Sequence, residues 1–565
     1  MKRTVAYAKP YASIVAWGLL IKFIAALAEL FLPMILEHLI NDVAPKKDMR
    51  SLALNGVLMA LLSFVALFGN IAANRLAANS SGKTTHDLRL ALFKKTTYLQ
   101  CAQVDRFTLP SLISRLTSDT YYFNQTMAQS LRLGVRAPIL LVGGLICSFL
   151  LDPILACVLL ACVPFVVVGV ALITKKSVPL YLTVQRGGDE VVRDMQENIT
   201  GVRVIKALSK SDYEIEKFRA INARLTENEF KANKITSLTN PMATLILNLG
   251  LVGIIAVGAL CGSEGGTVLA FLSYFTIILN AMLGLSRIFV TLSRGVASAA
   301  RIEEVLEADE RMPVSEMPQG DADCKIQFKD VSFSYNGNKD NVEHVSFSVK
   351  AGQTLGIIGG TGSGKSTIVS LLLRLYDVTE GAVYVDGRDV RSMPEKELRA
   401  KFGIAFQNDF LVASTIRENV DYFRGLPEDN IQKALACAQA SEFVEGFSEK
   451  ENRMLTQKGS NLSGGQKQRL IVSRALAGKP EILVLDDSSS ALDYATDAKL
   501  RKALGRDYAD CTKVIVAQRV SSVRHADLIL VLDEGRIVGM GRHEELLASC
   551  EDYRQIYNVQ MGGVS

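Results

Sequence analysis

The sequence predicts a two-part chain: an all-α membrane domain of six helices, followed by an α/β domain built on a phosphate-binding loop. Three observations carry this. Apolar residues make up 49 % of the 565 residues, and up to about residue 300 they gather into blocks long enough to cross a bilayer. From about residue 320 onward they alternate with charges, as in a soluble α/β domain. Residues 359–367 read G-G-T-G-S-G-K-S-T between the apolar runs 355–358 and 368–373, the place where a buried strand turns into a helix.

The six apolar blocks run near 13–40, 52–77, 133–151, 153–174, 241–261 and 267–289. Short links at 41–51, 152 and 262–266 join them in pairs, whereas the polar stretches 79–132 and 175–240 keep helical periodicity and are rich in Lys and Arg. Arg89, Lys94, Lys95, Arg106, Arg115 and Arg132 in the first stretch, and Lys175, Lys176, Arg193, Arg203, Lys206 and Lys217 in the second, place both on the cytoplasmic side. The expectation is a multi-pass protein of the plasma (inner) membrane with both termini cytoplasmic. Lys46, Lys47 and Arg50 in the first outer loop reduce the asymmetry without reversing it. Within the blocks lie Lys22, Glu29, Asn70, Asn74, Arg136, Asn248 and Asn280. Such groups are costly in a bilayer, so they bond between helices, snorkel to an interface, or line a substrate path.

The net charge of +5 and the lack of an Arg/Lys/aromatic stripe exclude nucleic acid as the expected partner. Nine cysteines without C-x-x-C pairs read as reduced thiols, not as a disulfide framework or a zinc site.

Residues 301–322 form the expected linker between a membrane domain at 1–300 and a nucleotide-binding domain at 323–565: R-I-E-E-V-L-E continues a helix, then Pro313, Pro318 and Gly320 break it. Residues 325–335 alternate as a strand. In the loop, Gly359, Gly360, Thr361, Gly362, Ser363 and Gly364 wrap closely and aim N–H groups inward, and the following helix adds its positive end. Lys365 reaches the β/γ-phosphates, the Ser366 hydroxyl takes Mg²⁺, and Thr367 completes the motif.

Further motifs follow: Phe406-Gln407-Asn408, then N-L-S-G-G-Q-K-Q-R at 461–469, I-L-V-L-D-D at 482–487 and S-A-L-D at 490–493. This set resembles the nucleotide-binding domain of an ATP-binding-cassette (ABC) transporter. With spans first and cassette second, the resemblance covers essentially the whole chain and points to an exporter-type half-transporter. Segments 114–119 and 197–206 are similar to that family's cytoplasmic loops, and the resemblance implies coupling helices near 104–112 and 209–216.

The resemblance implies residue roles, and ATP with Mg²⁺ as cofactors. Tyr335, in F-S-Y, would stack on adenine. Asp486 would hold Mg²⁺ through water, and Gln407 would reach the metal and the attacking water. Asp493, closing S-A-L-D, joins the nucleotide-binding set. Ser463, Gly464, Gly465 and Gln466 would open a helix facing the γ-phosphate of nucleotide held by a second cassette. The implied partners are a second half-transporter chain, membrane lipid, and a transported small molecule or peptide.

Two positions depart from the family pattern. Asp487 stands where a Glu usually polarises the attacking water, and Gln518 where a switch His usually contacts the γ-phosphate. Asp is one methylene shorter, and Gln cannot carry the charge. Thr456-Gln457-Lys458-Gly459 also departs from the usual G-E-x-G. The expectation is the degenerate-site subunit of a heterodimeric, multidrug-type exporter, an ATP hydrolase weak at its own site that lends an intact signature to its partner. A homodimer, a siderophore or other small-molecule importer of the same fold, and a regulatory ATP-binding subunit are the alternatives.

Overall fold

The computed structural model describes residues 2–407, 409–488 and 491–561, so the expectations at Asn408 and Ser490 lie outside the described residues. The chain divides into two compact units, Met1–Tyr98 with Phe107–Ala308, and Leu99–Arg106 with Asp309–Ser565.

The first unit is helical, and among the described residues 6 helices are long and apolar enough to cross a membrane. The principal ones are Ala12–His38, Met49–Thr97, Val135–Leu151, Pro153–Thr200, Thr239–Cys261 and Gly265–Glu307. Their ends follow local chemistry. Asp48 accepts from the Arg50 and Ser51 amides, and Asp152 caps Pro153–Thr200 with Pro153 at the first helical position. Gly262, at φ 71°, closes Thr239–Cys261 in the left-handed region. Pro164 and Pro179 sit inside Pro153–Thr200 without ending it, as neighbouring groups in membrane bundles allow.

Met49–Thr97 has 49 residues, which at 1.5 Å each is about 70 Å, more than twice the hydrocarbon thickness. Span and polar stretch are therefore one continuous helix. Leu30, Leu155, Leu159, Phe271 and Tyr274 pack into the core, and the Tyr274 hydroxyl donates to the Leu30 carbonyl at 2.7 Å. Leu54, Leu61, Phe64 and Phe68 stay exposed along Met49–Thr97, a face suited to lipid.

Short helices occupy Cys101–Phe107 and Val202–Ala207. The first overlaps the expected 104–112. The second corrects the expected 209–216, which instead spans Ser209 at φ 50° and the opening turns of Ser211–Thr236. Asp212 and Glu214 favour the first turn of that long helix, so the break falls before them.

The second unit carries two sheets. Strands β1 (Ile326–Phe333), β2 (Val342–Val349), β4 (Glu380–Val385) and β5 (Arg388–Asp389) form an antiparallel sheet of order β2-β1-β4-β5. Strands β3 (Thr354–Gly359), β6 (Phe402–Ala405), β7 (Ile482–Asp486), β8 (Thr512–Val516), β9 (Leu528–Asp533) and β10 (Arg536–Gly541) form the other, of order β10-β9-β3-β8-β7-β6. All its pairings are parallel except β10 with β9. Buried on both faces, β7 is fully apolar until Asp486. The carboxyl ends of β3, β7 and β8 lie side by side, where open α/β sheets bind ligands.

Candidate functional site

Strand β3 delivers the loop at 359–364. Gly362 and Gly364 have φ of 83° and 96°, and a Cβ on Gly364 would lie 2.7 Å from the Asn341 carbonyl oxygen. Only glycine makes that turn without strain. Helix Lys365–Leu372 follows, anchored by buried Ile368, Val369, Leu371 and Leu372. Lys365 Nζ curls over the loop and donates to the carbonyls of Gly359 (2.9 Å) and Gly360 (2.5 Å), and at 3.4 Å to Ser363 Oγ.

The end of β7 meets this loop: Ser366 Oγ donates to Asp486 Oδ1 at 3.3 Å. Burial, with the neighbouring Asp487 charge, pushes the Asp486 carboxyl up, and burial pulls the Lys365 ammonium down. A cavity of about 220 Å³ gathers Thr361, Gly362, Gly364, Lys365, Ser366 and Thr367 with Gln407, Asp486, Asp487 and Gln518. Hydroxyl, carboxylate and amide oxygens are the hard donors Mg²⁺ takes, and the loop amides, helix end and Lys365 suit a polyphosphate. The residues present therefore fit ATP with Mg²⁺.

The corner that departs from the family pattern is built around Asp487. Its backbone sits at φ 48°, its amide donates to the Val516 carbonyl at 2.9 Å, and its Oδ2 accepts from Gln518 Nε2 (2.9 Å) and Gln407 Nε2 (3.3 Å). Burial raises this carboxyl, while the Lys365 charge and the two amide hydrogen bonds oppose the shift.

The remaining expected residues stand outside that cavity. Ser463, Gly464, Gly465 and Gln466 open helix Gly464–Ala477, and Ser463 and Gln466 close a reciprocal capping box: the Gln466 amide donates to Ser463 Oγ at 3.3 Å, and the Ser463 amide to Gln466 Oε1 at 2.9 Å. Asp493 caps helix Tyr494–Asp507 by accepting from the Thr496 amide at 2.8 Å. Tyr335 is 43 % exposed and meets Phe333 and Tyr376 edge-on, with ring centroids 4.8 and 5.0 Å away. An open aromatic face is what a stacked base needs.

Sequence reasoning passed over two residues that organise this unit. The Tyr376 hydroxyl donates to Asp105, on the 99–106 segment, so the aromatic group around Tyr335 is tied to that short helix. Arg474 lies ten residues past Gly464 and is nearly buried; it donates to Asp409 Oδ1 (3.3 Å), the Phe410 carbonyl (3.0 Å) and the Asn419 carbonyl (2.9 Å). It thereby fixes the segment after Gln407 to the signature helix. An Arg set inside the apolar run 470–477 of that helix was the available signal.

Residues 15–282 match the family described as ABC transporter transmembrane region, and residues 342–490 the family described as ABC transporter. The chain is 33 % identical over 572 residues to the uncharacterized ABC transporter ATP-binding protein YfiB of Bacillus subtilis, covering 100 % of this chain and 99 % of that protein. It is 34 % identical over 573 residues to the uncharacterized ABC transporter ATP-binding protein Rv1273c of Mycobacterium tuberculosis, covering 98 % of each. Among solved structures, a bacterial Atm1-family ABC exporter with ATP bound superposes with a TM-score of 0.83 at 22 % identity, over 98 % of this chain and 99 % of that one, a likeness of fold. Six apolar helices, a cassette with its motifs in place, and full-length relatives make this chain a member of the ABC transporter family, with the exporter fold.

Proposed function

We propose that the chain is one half of a heterodimeric ABC exporter, in which its own loop site binds ATP firmly and hydrolyses it slowly. The observation that carries this is Asp487, whose Oδ2 is engaged by two side-chain amides, Gln407 and Gln518. A carboxylate that polarises water must reach that water at the right distance. This one is a methylene short, about 1.5 Å, and a displacement of about 1 Å can cost on the order of 100-fold in rate. The signature residues Ser463 to Gln466 keep the family pattern, which suits them to complete a second, consensus site on a different partner chain.

In this reading ATP closes the paired cassettes, the short helices of the 99–106 and 202–207 stretches pass that movement to the spans, and hydrolysis resets them. ATP must bind the closed state more tightly than the open one for this to follow. The cargo class is amphipathic: drugs, lipids or peptides. The Lys/Arg-rich stretches support a cytoplasmic cassette with both termini on the same side of the inner membrane. The test is the double variant Asp487→Glu with Gln518→His, assayed for ATP turnover in lipid. A gain of roughly tenfold or more supports a site limited by these two side chains. No gain, with ATP binding intact, contradicts it.

A further inference from the structure

The membrane unit holds a cavity of about 860 Å³ whose charged and amide lining includes Lys22, Glu29, Asn70, Asn74, Arg132 and Arg136. A volume of that size suits a drug-sized ligand. Lys22 and Glu29 come from helix Ala12–His38, Asn70 and Asn74 from Met49–Thr97, Arg132 from the π-helical segment Ser130–Gly134 and Arg136 from the start of Val135–Leu151. Three chain segments, distant in sequence, thus turn their polar side chains onto one space.

Three cations there face one carboxylate. Arg136 Nη2 donates to both oxygens of Glu29, at 2.7 and 2.8 Å, which occupies the one acid among the described lining residues. Lys22, only 4 % exposed, donates to Asn70 Oδ1 (2.8 Å) and Asn74 Oδ1 (3.0 Å), amides that accept hydrogen bonds and bring no negative charge. Arg132 Nε and Arg136 Nε are shielded from solvent and have no hydrogen-bond acceptor. Cations held within a span without a counter-charge are costly, and a ligand anion would relieve that cost. Leu32, Leu67 and Leu133 also line the cavity and give it apolar surface.

We infer that this cavity binds an amphipathic organic anion, its carboxylate or phosphate head between Lys22 and Arg132 and its apolar body along the three leucines. The inference deepens the transport reading and rests on it for the purpose of the site, making the cargo an anion and not a lipophilic cation.

The test is equilibrium binding of radiolabelled dodecanoate, dodecyl phosphate and dodecyltrimethylammonium to the full chain in phosphatidylcholine nanodiscs, with empty discs subtracted. At least one of the two anions is expected to bind saturably and about tenfold or more tighter than the cation, and the tighter anion assigns the head group. Lys22→Gln and Arg132→Gln are each expected to weaken that anion about tenfold, with Asn280→Ala, outside the cavity, leaving it unchanged. Arg132 makes no hydrogen bond to a described residue, so its substitution strands no partner, and the head-group preference of the unaltered chain is a readout that needs no variant. Equal binding of cation and anions, unchanged anion affinity in both charge-removing variants, or displacement by equimolar inorganic phosphate would overturn the inference. Charge-selective binding without ATP-driven movement in vesicles would count against the transport reading and leave the site standing. ATP-driven movement of the alkylammonium without anion binding would do the reverse.

Discussion

The cassette has two corners of opposite character. At the signature turn, Ser463 to Gln466 keep the family pattern, and the turn is pinned by its own capping box. At the end of β7, Asp487 and Gln518 depart from it, and the two are bonded to each other. A single cassette whose corners served the same nucleotide would be expected to keep or lose both. Their divergence fits a chain whose two faces work on different nucleotides, one completed by the partner and one completed for it.

The comparison is broken most severely through the intact corner. A side chain on Gly465 would bring its Cβ within 3.2 Å of the Ala491 carbonyl oxygen. Gly465→Asp would also put a negative charge at the helix end that the proposal sets against a phosphate. In a complex with the partner chain it is expected to cut ATP turnover by about 10³-fold, roughly 4 kcal/mol, whereas Asp487→Asn in the same complex costs less than about threefold. Steady-state ATPase rates check both.

Arg474 holds the stretch after Gln407 to the signature helix. Arg474→Ala removes the charge partner of Asp409, which is nearly buried, and is expected to destabilise the cassette by about 3 kcal/mol, read as a loss of thermal stability in the full chain. Arg474→Lys recovers little, because one ammonium cannot replace a guanidinium that meets four acceptor atoms.

The smallest effect concerns pH. Burial holds the Asp486 carboxyl above its ordinary value, so it takes up a proton at a higher pH than an exposed carboxylate. Mg²⁺-supported nucleotide binding should fall as pH drops, starting above the usual carboxylate range, by a few-fold in a nucleotide titration. The sign for folding is opposite: a raised carboxyl destabilises while ionised, so nucleotide-free stability at this position rises as pH falls through the folded value. Asp486→Asn is expected to abolish the acid limb.

Much of this was legible in residue order. The spans are long apolar runs, and the phosphate loop is a contiguous motif whose glycines at 362 and 364 the backbone angles explain. The prediction that helix 301–307 continues before the prolines agrees with Gly265–Glu307 ending at Glu307. Less legible was whatever depends on two distant segments meeting. Lys22, Glu29, Asn70, Asn74 and Arg136 were recognised as costly in a membrane, yet only packing shows that they share a cavity and that Arg132, read as part of a cytoplasmic stretch, joins them. Asn248 and Asn280, singled out on the same grounds, are exposed and absent from its lining. The short helix at Val202–Ala207 was missed by several residues because helical periodicity runs through the whole stretch and only local turns mark the breaks. Tyr376 and Asp105 lie 271 residues apart, so no spacing could have paired them.

The most direct test is the ATPase rate of this chain purified alone in lipid, beside the same chain carrying Asp487→Asn. The account predicts negligible turnover in both, restored when a second half-transporter chain is added. Robust turnover by the chain alone, abolished by Asp487→Asn, would make Asp487 a working catalytic carboxylate in a homodimer and contradict the division of labour between its two corners.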